Sequence, residues 1–139
     1  MGFTKQIEKP SGMLFNYHRI VSVVAITNMQ NIIEVGSYAS AKKRQDEIEC
    51  AARMTAGDTT AEPTVLVDAT YISCPYDPTM TVDSAYEYIL SLPDYEGAVM
   101  DEAEYTAGAE ERVEEIKAEL AEQQQQSDIQ QPHEEGDVE

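Results

Sequence analysis

The run over residues 13–27, MLFNYHRIVSVVAIT, decides most of what this chain can become. It is rich in β-branched and aromatic residues, which suit a pleated, half-buried surface better than a helix. Its second half is apolar at consecutive positions, the pattern of a central strand covered on two sides. Asn28-Met29-Gln30-Asn31 is polar enough to turn the chain, and residues 32–38 (IIEVGSY) resume strand character. The two runs therefore read as a β-hairpin, with the lone strand glycine Gly36 marking a bulge.

A third strand is predicted over residues 64–74, TVLVDATYISC. Val65, Val67, Ala69 and Tyr71 fall on one face of it, and Leu66, Asp68, Thr70 and Ile72 on the other, more polar face. The N-terminal FTKQI is expected to add a short edge strand. Residues 41–54 (AKKRQDEIECAARM) lack Pro and Gly and read as a surface helix with a narrow apolar stripe from Ile48, Cys50, Ala51 and Ala52. A loop, TAGDTTAEP, follows. A clearer helix begins after Thr81, a good N-cap, with Asp83 in the first turn where negative charge is favourable. Val82, Ala85, Tyr86, Ile89 and Leu92 keep helical spacing up to Pro93. Three turns are marginal alone, so this helix needs a sheet face to pack on. The segment DYEGAVM is expected to form one further turn carrying Tyr95 and Val99 back to the body. The fold class expected is α+β: a small antiparallel sheet body, a hairpin plus a further strand, with one or two packed helices.

Charge divides the chain. Residues 1–53 hold seven basic and five acidic side chains, residues 54–100 eight acidic and no basic ones, and residues 101–139 fourteen acidic and two basic ones. The last stretch thus carries −12 of the net −18, and it includes the run Gln123-Gln124-Gln125-Gln126. Such a segment buries too little apolar surface to offset its ordering entropy. The expected organisation is a β-rich folded body over 1–100 and an acidic C-terminal extension over 101–139, helical near 107–126 and then disordered. Val113, Ile116 and Leu120 make a thin stripe there, that of a solvated helix or of half a weak coiled coil. The acidity also argues against nucleic acid or an anionic membrane as a direct partner. No apolar run reaches the roughly 20 residues of a membrane span, and MGFTKQIEKPSG lacks a signal-peptide apolar core.

Chemistry is hard to place. Cys50 and Cys74 have no CxxC spacing, and His18 and His133 lie far from each other, so neither a disulfide framework nor a structural zinc is expected. His18 stands within a strand between Tyr17 and Arg19, the setting of a packed or hydrogen-bonded imidazole rather than a base. Asp77 with Asp83 is one of many carboxylate pairs that chance supplies in so acidic a chain. There is no Gly-rich phosphate loop and no EF-hand spacing. No catalytic residue, cofactor or metal is expected, and the reading is non-enzymatic. Tyrosine outnumbers Phe eight to two, and Trp is absent. Tyrosines suit half-exposed sheet faces and interfaces, so they pack either within one domain or across a subunit contact. Tyr17, Arg19, Tyr38, Tyr71 and Tyr76 are the candidate interface residues.

Two segments carry a resemblance. NYHRIVSVVAITNMQNIIEVGSYAS (residues 16–40) is similar to a YHRI…IIEVASY signature, and TYISCPYDPTMTVDSAYEYILSLPDYEGA (residues 70–98) to a strand followed by PYD…T…AYEYL. Both belong to small accessory virion proteins encoded among the tail and fibre genes of tailed bacteriophages and prophages. The resemblance spans most of residues 13–100 and none of the acidic extension. It implies a virion structural or accessory subunit at the tail, baseplate or fibre attachment, made in the host bacterial cytoplasm. The partners implied are other phage virion proteins, in a homo-oligomer or hetero-complex. It transfers no catalytic residue. The alternative is an acidic nucleic-acid mimic that inhibits a host defence nuclease or regulator, which requires carboxylates displayed rigidly, like phosphates along a duplex.

Overall fold

The computed structural model describes residues 1–130; what was expected of the chain beyond them lies outside the described residues. It falls into two units, Met1–Glu47 with Thr64–Tyr105, and Ile48–Pro63 with the described residues from Thr106. The first holds a five-stranded antiparallel sheet made of β1 (Gly2–Glu8), β2 (Leu14–Ile26), β3 (Gln30–Tyr38), β4 (Asp68–Pro75) and β5 (Val99–Asp101). Their order across the sheet is β4-β3-β2-β1-β5. Three α-helices, α1 (Ala41–Thr55), α2 (Val82–Leu90) and α3 (Ala109–Gln130), complete an α+β chain.

The β2–β3 hairpin forms where the apolar runs place it. Its turn is closed by Met29 N–H donating to Ile26 O (3.0 Å), with Asn28 at φ 57°, a left-handed conformation that Asn tolerates better than most residues. The first strand differs from expectation. β1 is interior, paired with β2 on one side and with the three residues of β5 on the other (Phe3↔Met100, Thr4↔Val99). VMD is too short to read as a strand, which is why β1 reads as an edge from sequence; Phe3 is fully buried, packed against His18, Tyr86 and Tyr95.

Three further details correct the reading. The irregularity in β2–β3 lies between Ile20 and Ser22, not at Gly36. Gly36 instead permits close packing, since a Cβ there would stand 3.0 Å from Val21 Cγ2 and 3.4 Å from Val67 Cγ1. In β4 the covered face is the more polar one, running through Asp68, Thr70, Ile72 and Cys74, while Ala69, Tyr71 and Ser73 are exposed. The reason is that Ile72 and Cys74 complete the core, and Lys9 satisfies the two polar residues by donating to Thr70 Oγ1 (2.8 Å) and pairing with Asp68 (3.2 Å). Lys9 follows β1, which two intervening strands separate from β4 in the sheet order. Finally, the second half of β2 is not covered on both sides: Val21 is 41% and Val24 50% exposed, whereas Tyr17 and His18 in its first half are buried on opposite faces.

The core lies on that inner face: Phe3, Ile20, Ile33, Val35 and Cys74 from the sheet meet Ala85, Tyr86 and Ile89 of α2 and Tyr95 of a 3₁₀ turn. α2 starts with a capping box in which Thr81 Oγ1 accepts from Ser84 N–H and Ser84 Oγ accepts from Thr81 N–H, satisfying two otherwise orphaned donors. Where the β2 ladder slips, Ile20 N–H donates to the Tyr86 hydroxyl, which donates in turn to Met1 O (both 3.0 Å).

In the second unit, Ala52 and Ile116 are the buried apolar residues. Arg112 donates to Glu49 (2.6 Å), Glu115 (3.1 Å) and Glu119 (3.2 Å), and Arg53 pairs with Glu49, Asp58 and Glu119. α3 runs to Gln130, past the expected end near 126, because nothing before Pro132 breaks a helix. None of the described helices is long and apolar enough to cross a membrane.

Asn31 links the hairpin to the loop after β4. Fully buried, it donates from Nδ2 to Asp77 O (2.7 Å) and accepts at Oδ1 from Asp77 N–H (3.1 Å). Asn31→Ala leaves both Asp77 backbone groups unpaired and is expected to lower stability by about 1–3 kcal/mol, read as a lower urea midpoint with an unchanged slope.

Candidate interaction surface

The two faces of the sheet have different chemistry. On the inner face β2 presents His18, register partner of Phe3 on β1 and of Ser37 on β3. The imidazole is fully buried and stacks on Phe3 with centroids 5.1 Å apart. Nε2 lies 2.8 Å from Lys5 O and Nδ1 2.7 Å from Ser37 Oγ. A carbonyl only accepts, so Nε2 carries the proton and Nδ1 accepts from the Ser37 hydroxyl. Burial holds the pKa of His18 below its ordinary value, and the Lys9 and Lys5 charges push the same way against the bond to Lys5 O. Ser37 and His18 form a hydroxyl–imidazole pair that cannot be read from the sequence, because it depends on strand register. With Ser37 at 1% exposure, no substrate reaches it, and the pair serves to join three strands.

On the outer face the same register brings Tyr17 beside Tyr38 and Arg19 beside Gly36. The Tyr38 hydroxyl donates to Glu47 Oε2 (2.5 Å) and accepts from Arg19 Nε (3.0 Å). Arg44 donates to the same Glu47 oxygen (2.5 Å) and lies over the Tyr38 ring, 6.0 Å from its centroid. Tyr17 packs edge-on against Tyr38 and Tyr105, with centroids 5.9 and 5.8 Å away. Gly2 makes room for it, since a Cβ there would fall 2.3 Å from the Tyr17 hydroxyl. Burial raises the pKa of both Tyr17 and Tyr38, and for Tyr38 the Glu47 bond adds to it, so both rings stay neutral. Glu47, Arg44 and Tyr105 escaped the sequence reading because they come from a helix and a distant loop.

Of the five candidate interface residues, Tyr17, Arg19 and Tyr38 thus meet in one cluster, with Tyr17 at 1% and Tyr38 at 0% exposure. Tyr76 is half-buried in the loop after β4. Tyr71 stands apart on β4 with its ring in solvent, 66% exposed. Registers Val24↔Ile32↔Ser73 and Ser22↔Glu34↔Tyr71 set it in the outer face beside an apolar strip of Val21, Val24 and Ile32. Glu34, the one charge among them, accepts from the Ser22 hydroxyl (3.1 Å).

Two concave features of the first unit lie among the described residues. A cleft of about 180 Å³ between Met13, Phe15, Val65 and Leu66, with Lys43 at its wall, is below the ~300 Å³ of usual ligand pockets. A larger depression of about 370 Å³ beside Tyr86 is rimmed by Asp83, Glu87 and Glu102. Among the described residues no group of His, Cys, Asp and Glu side chains is arranged to hold a metal ion. The outer face thus pairs exposed apolar side chains at Val21, Val24 and Tyr71 with a hydrogen-bonded tyrosine cluster around Tyr38.

His18 makes stability depend on pH. Its folded pKa lies below the unfolded value near 6.5, so below that pH the unfolded chain binds more protons than the folded one. Its contribution is complete above about pH 6.5 and is lost as pH falls toward the folded pKa. Urea midpoints should therefore drop between about pH 7 and pH 5 in the native chain, and drop less in His18→Gln. Comparison of the chain with protein-family models, with curated proteins and with solved structures finds no match, so the residues and their geometry carry the functional reading.

Proposed function

We propose that the protein is a non-enzymatic subunit of a tailed-bacteriophage particle, at the tail, baseplate or fibre attachment, and that it works by protein–protein contact. The observation that carries this reading is the exposed apolar strip of Val21, Val24 and Tyr71 on the outer face of the sheet, in a chain with net charge −18. Contiguous apolar surface on a soluble protein marks a contact site. The two segments that resemble accessory virion proteins support it further. Residues 16–40 make the β2–β3 hairpin, and residues 70–98 make most of β4, α2 and the 3₁₀ turn. The resemblance thus falls on the surface-bearing sheet and the helix that packs its core. The partners are other virion proteins or further copies of this chain, meeting the outer face of the sheet away from the acidic C-terminal extension.

A second reading draws on α3. Glu111, Glu115, Glu119 and Glu122 follow one another at helical spacing along a 22-residue helix, which is a more rigid display of carboxylates than a disordered tail gives. This favours a nucleic-acid mimic directed at a host nuclease or regulator. Two of the four carboxylates, Glu115 and Glu119, are engaged by Arg112, which weakens the mimicry. Mass spectrometry of purified particles separates the two readings. A virion subunit is recovered at fixed stoichiometry after stringent washing, whereas a mimic remains in the lysate bound to a basic host protein. Absence from the particles would overturn the virion reading.

A further inference from the structure

The two edges of the sheet are unlike. β5 is three residues long and ends in Asp101, a short and charged edge of the kind that discourages pairing. β4 is eight residues long, and its register against β3 runs without interruption from Asp68 to Pro75. Beyond that ladder, no backbone hydrogen bond among the described residues involves β4, and no side chain donates to or accepts from its backbone. An antiparallel edge strand turns alternate N–H and C=O groups outward, so β4 offers a row of unpaired backbone groups of fixed spacing. Such a row is completed by an extended strand.

We propose that the free edge of β4 pairs antiparallel with β4 of a second copy of this chain, joining two sheets across a two-fold axis at Tyr71. The inference rests on the reading of the protein as an assembling subunit and names its partner. Charge selects a like copy at this edge. From Ala69 to Tyr76 no side chain is ionised, and Asp68 is already paired with Lys9. Two chains of −18 approach most easily where carboxylates are few: the edge strand itself bears none from Ala69 to Tyr76, and the nearest on its outer face, Glu34, lies one strand inward and accepts from Ser22.

Geometry selects the register. In a sheet continued through a two-fold axis, facing residues share a face, so a residue and not a gap lies on the axis. Centring on Tyr71 sets Ala69 opposite Ser73 and Thr70 opposite Ile72, and it leaves Pro75, which has no N–H, just outside the ladder. The exposed side chains flanking the axis are then small, and the two Tyr71 rings meet over the outer face. The apolar strips of both copies become continuous there, which is the self-complementary contact of an isologous dimer.

Sedimentation velocity of the full chain from micromolar to near-millimolar concentration tests this, together with Tyr71→Glu and Tyr71→Phe. The native chain and Tyr71→Phe should form dimers. Tyr71→Glu places two carboxylates face to face at the axis and should weaken the dimer tenfold or more, with its melting temperature little changed because Tyr71 is mostly exposed. Amide hydrogen exchange of the native chain is a second measure that needs no variant: residues 69–74 should exchange more slowly as concentration rises. A native chain that stays monomeric, a Tyr71→Glu dimer of native affinity, or exchange over 69–74 independent of concentration would each overturn the pairing. A dimer that is absent from particles removes the virion reading and keeps this one; a monomer found in particles does the reverse.

Discussion

One imidazole fixes the sheet. His18 in β2 accepts a hydrogen bond from the Ser37 hydroxyl in β3, donates Nε2–H to Lys5 O in β1, and stacks on Phe3. A buried polar ring is tolerated only when its nitrogens are satisfied, and this arrangement satisfies both in one strand register alone. Slip either neighbour by a residue and Ser37 or Phe3 moves to the opposite face. With β1 held there, β5 has a strand to pair with and the Met1 carbonyl reaches the Tyr86 hydroxyl. The N-terminus thus becomes interior to the fold, and α2 closes the core over it.

The opposite face follows a different logic. Around Tyr38 every polar atom is paired, Glu47 is shared by Tyr38 and Arg44, and Tyr17 fills the space that Gly2 leaves. This end of the face is finished. At the other end Val21, Val24 and Tyr71 are open, beside an edge strand whose outward backbone groups have no partner. Under the proposed reading, the paired cluster holds the strands in register and the open end is the surface offered to a partner.

Much of this was legible in the sequence. The β-branched run of β2, the polar turn at Asn28, the Thr81 cap and the Val82–Ala85–Ile89 spacing each specify local structure by short-range rules, and the α+β class follows from them. What escaped depends on pairing over long separations. β5 is three residues whose strand character comes from β1, nearly a hundred positions away. The polar side of β4 turned inward because Lys9, from another hairpin, was there to satisfy it. Among the site residues, Tyr71 was readable as a strand tyrosine, but its exposure was not, since it shares a face with Val65, Val67 and Ala69 and the more polar face is the covered one. The burial of Tyr17 and Tyr38 was not, since it rests on Glu47, Arg44 and Tyr105 from separate elements.

The central claim is that β1, locked through His18, is a structural member of the sheet rather than an appendage at its edge. Thermal unfolding of a chain lacking residues 1–8, followed by circular dichroism beside the full chain, tests this most directly. Removing β1 takes away the Lys5 carbonyl, the Phe3 ring and the strand on which β5 is built. The account predicts that the shortened chain loses its cooperative transition. A cooperative melt at a temperature close to that of the full chain would contradict it.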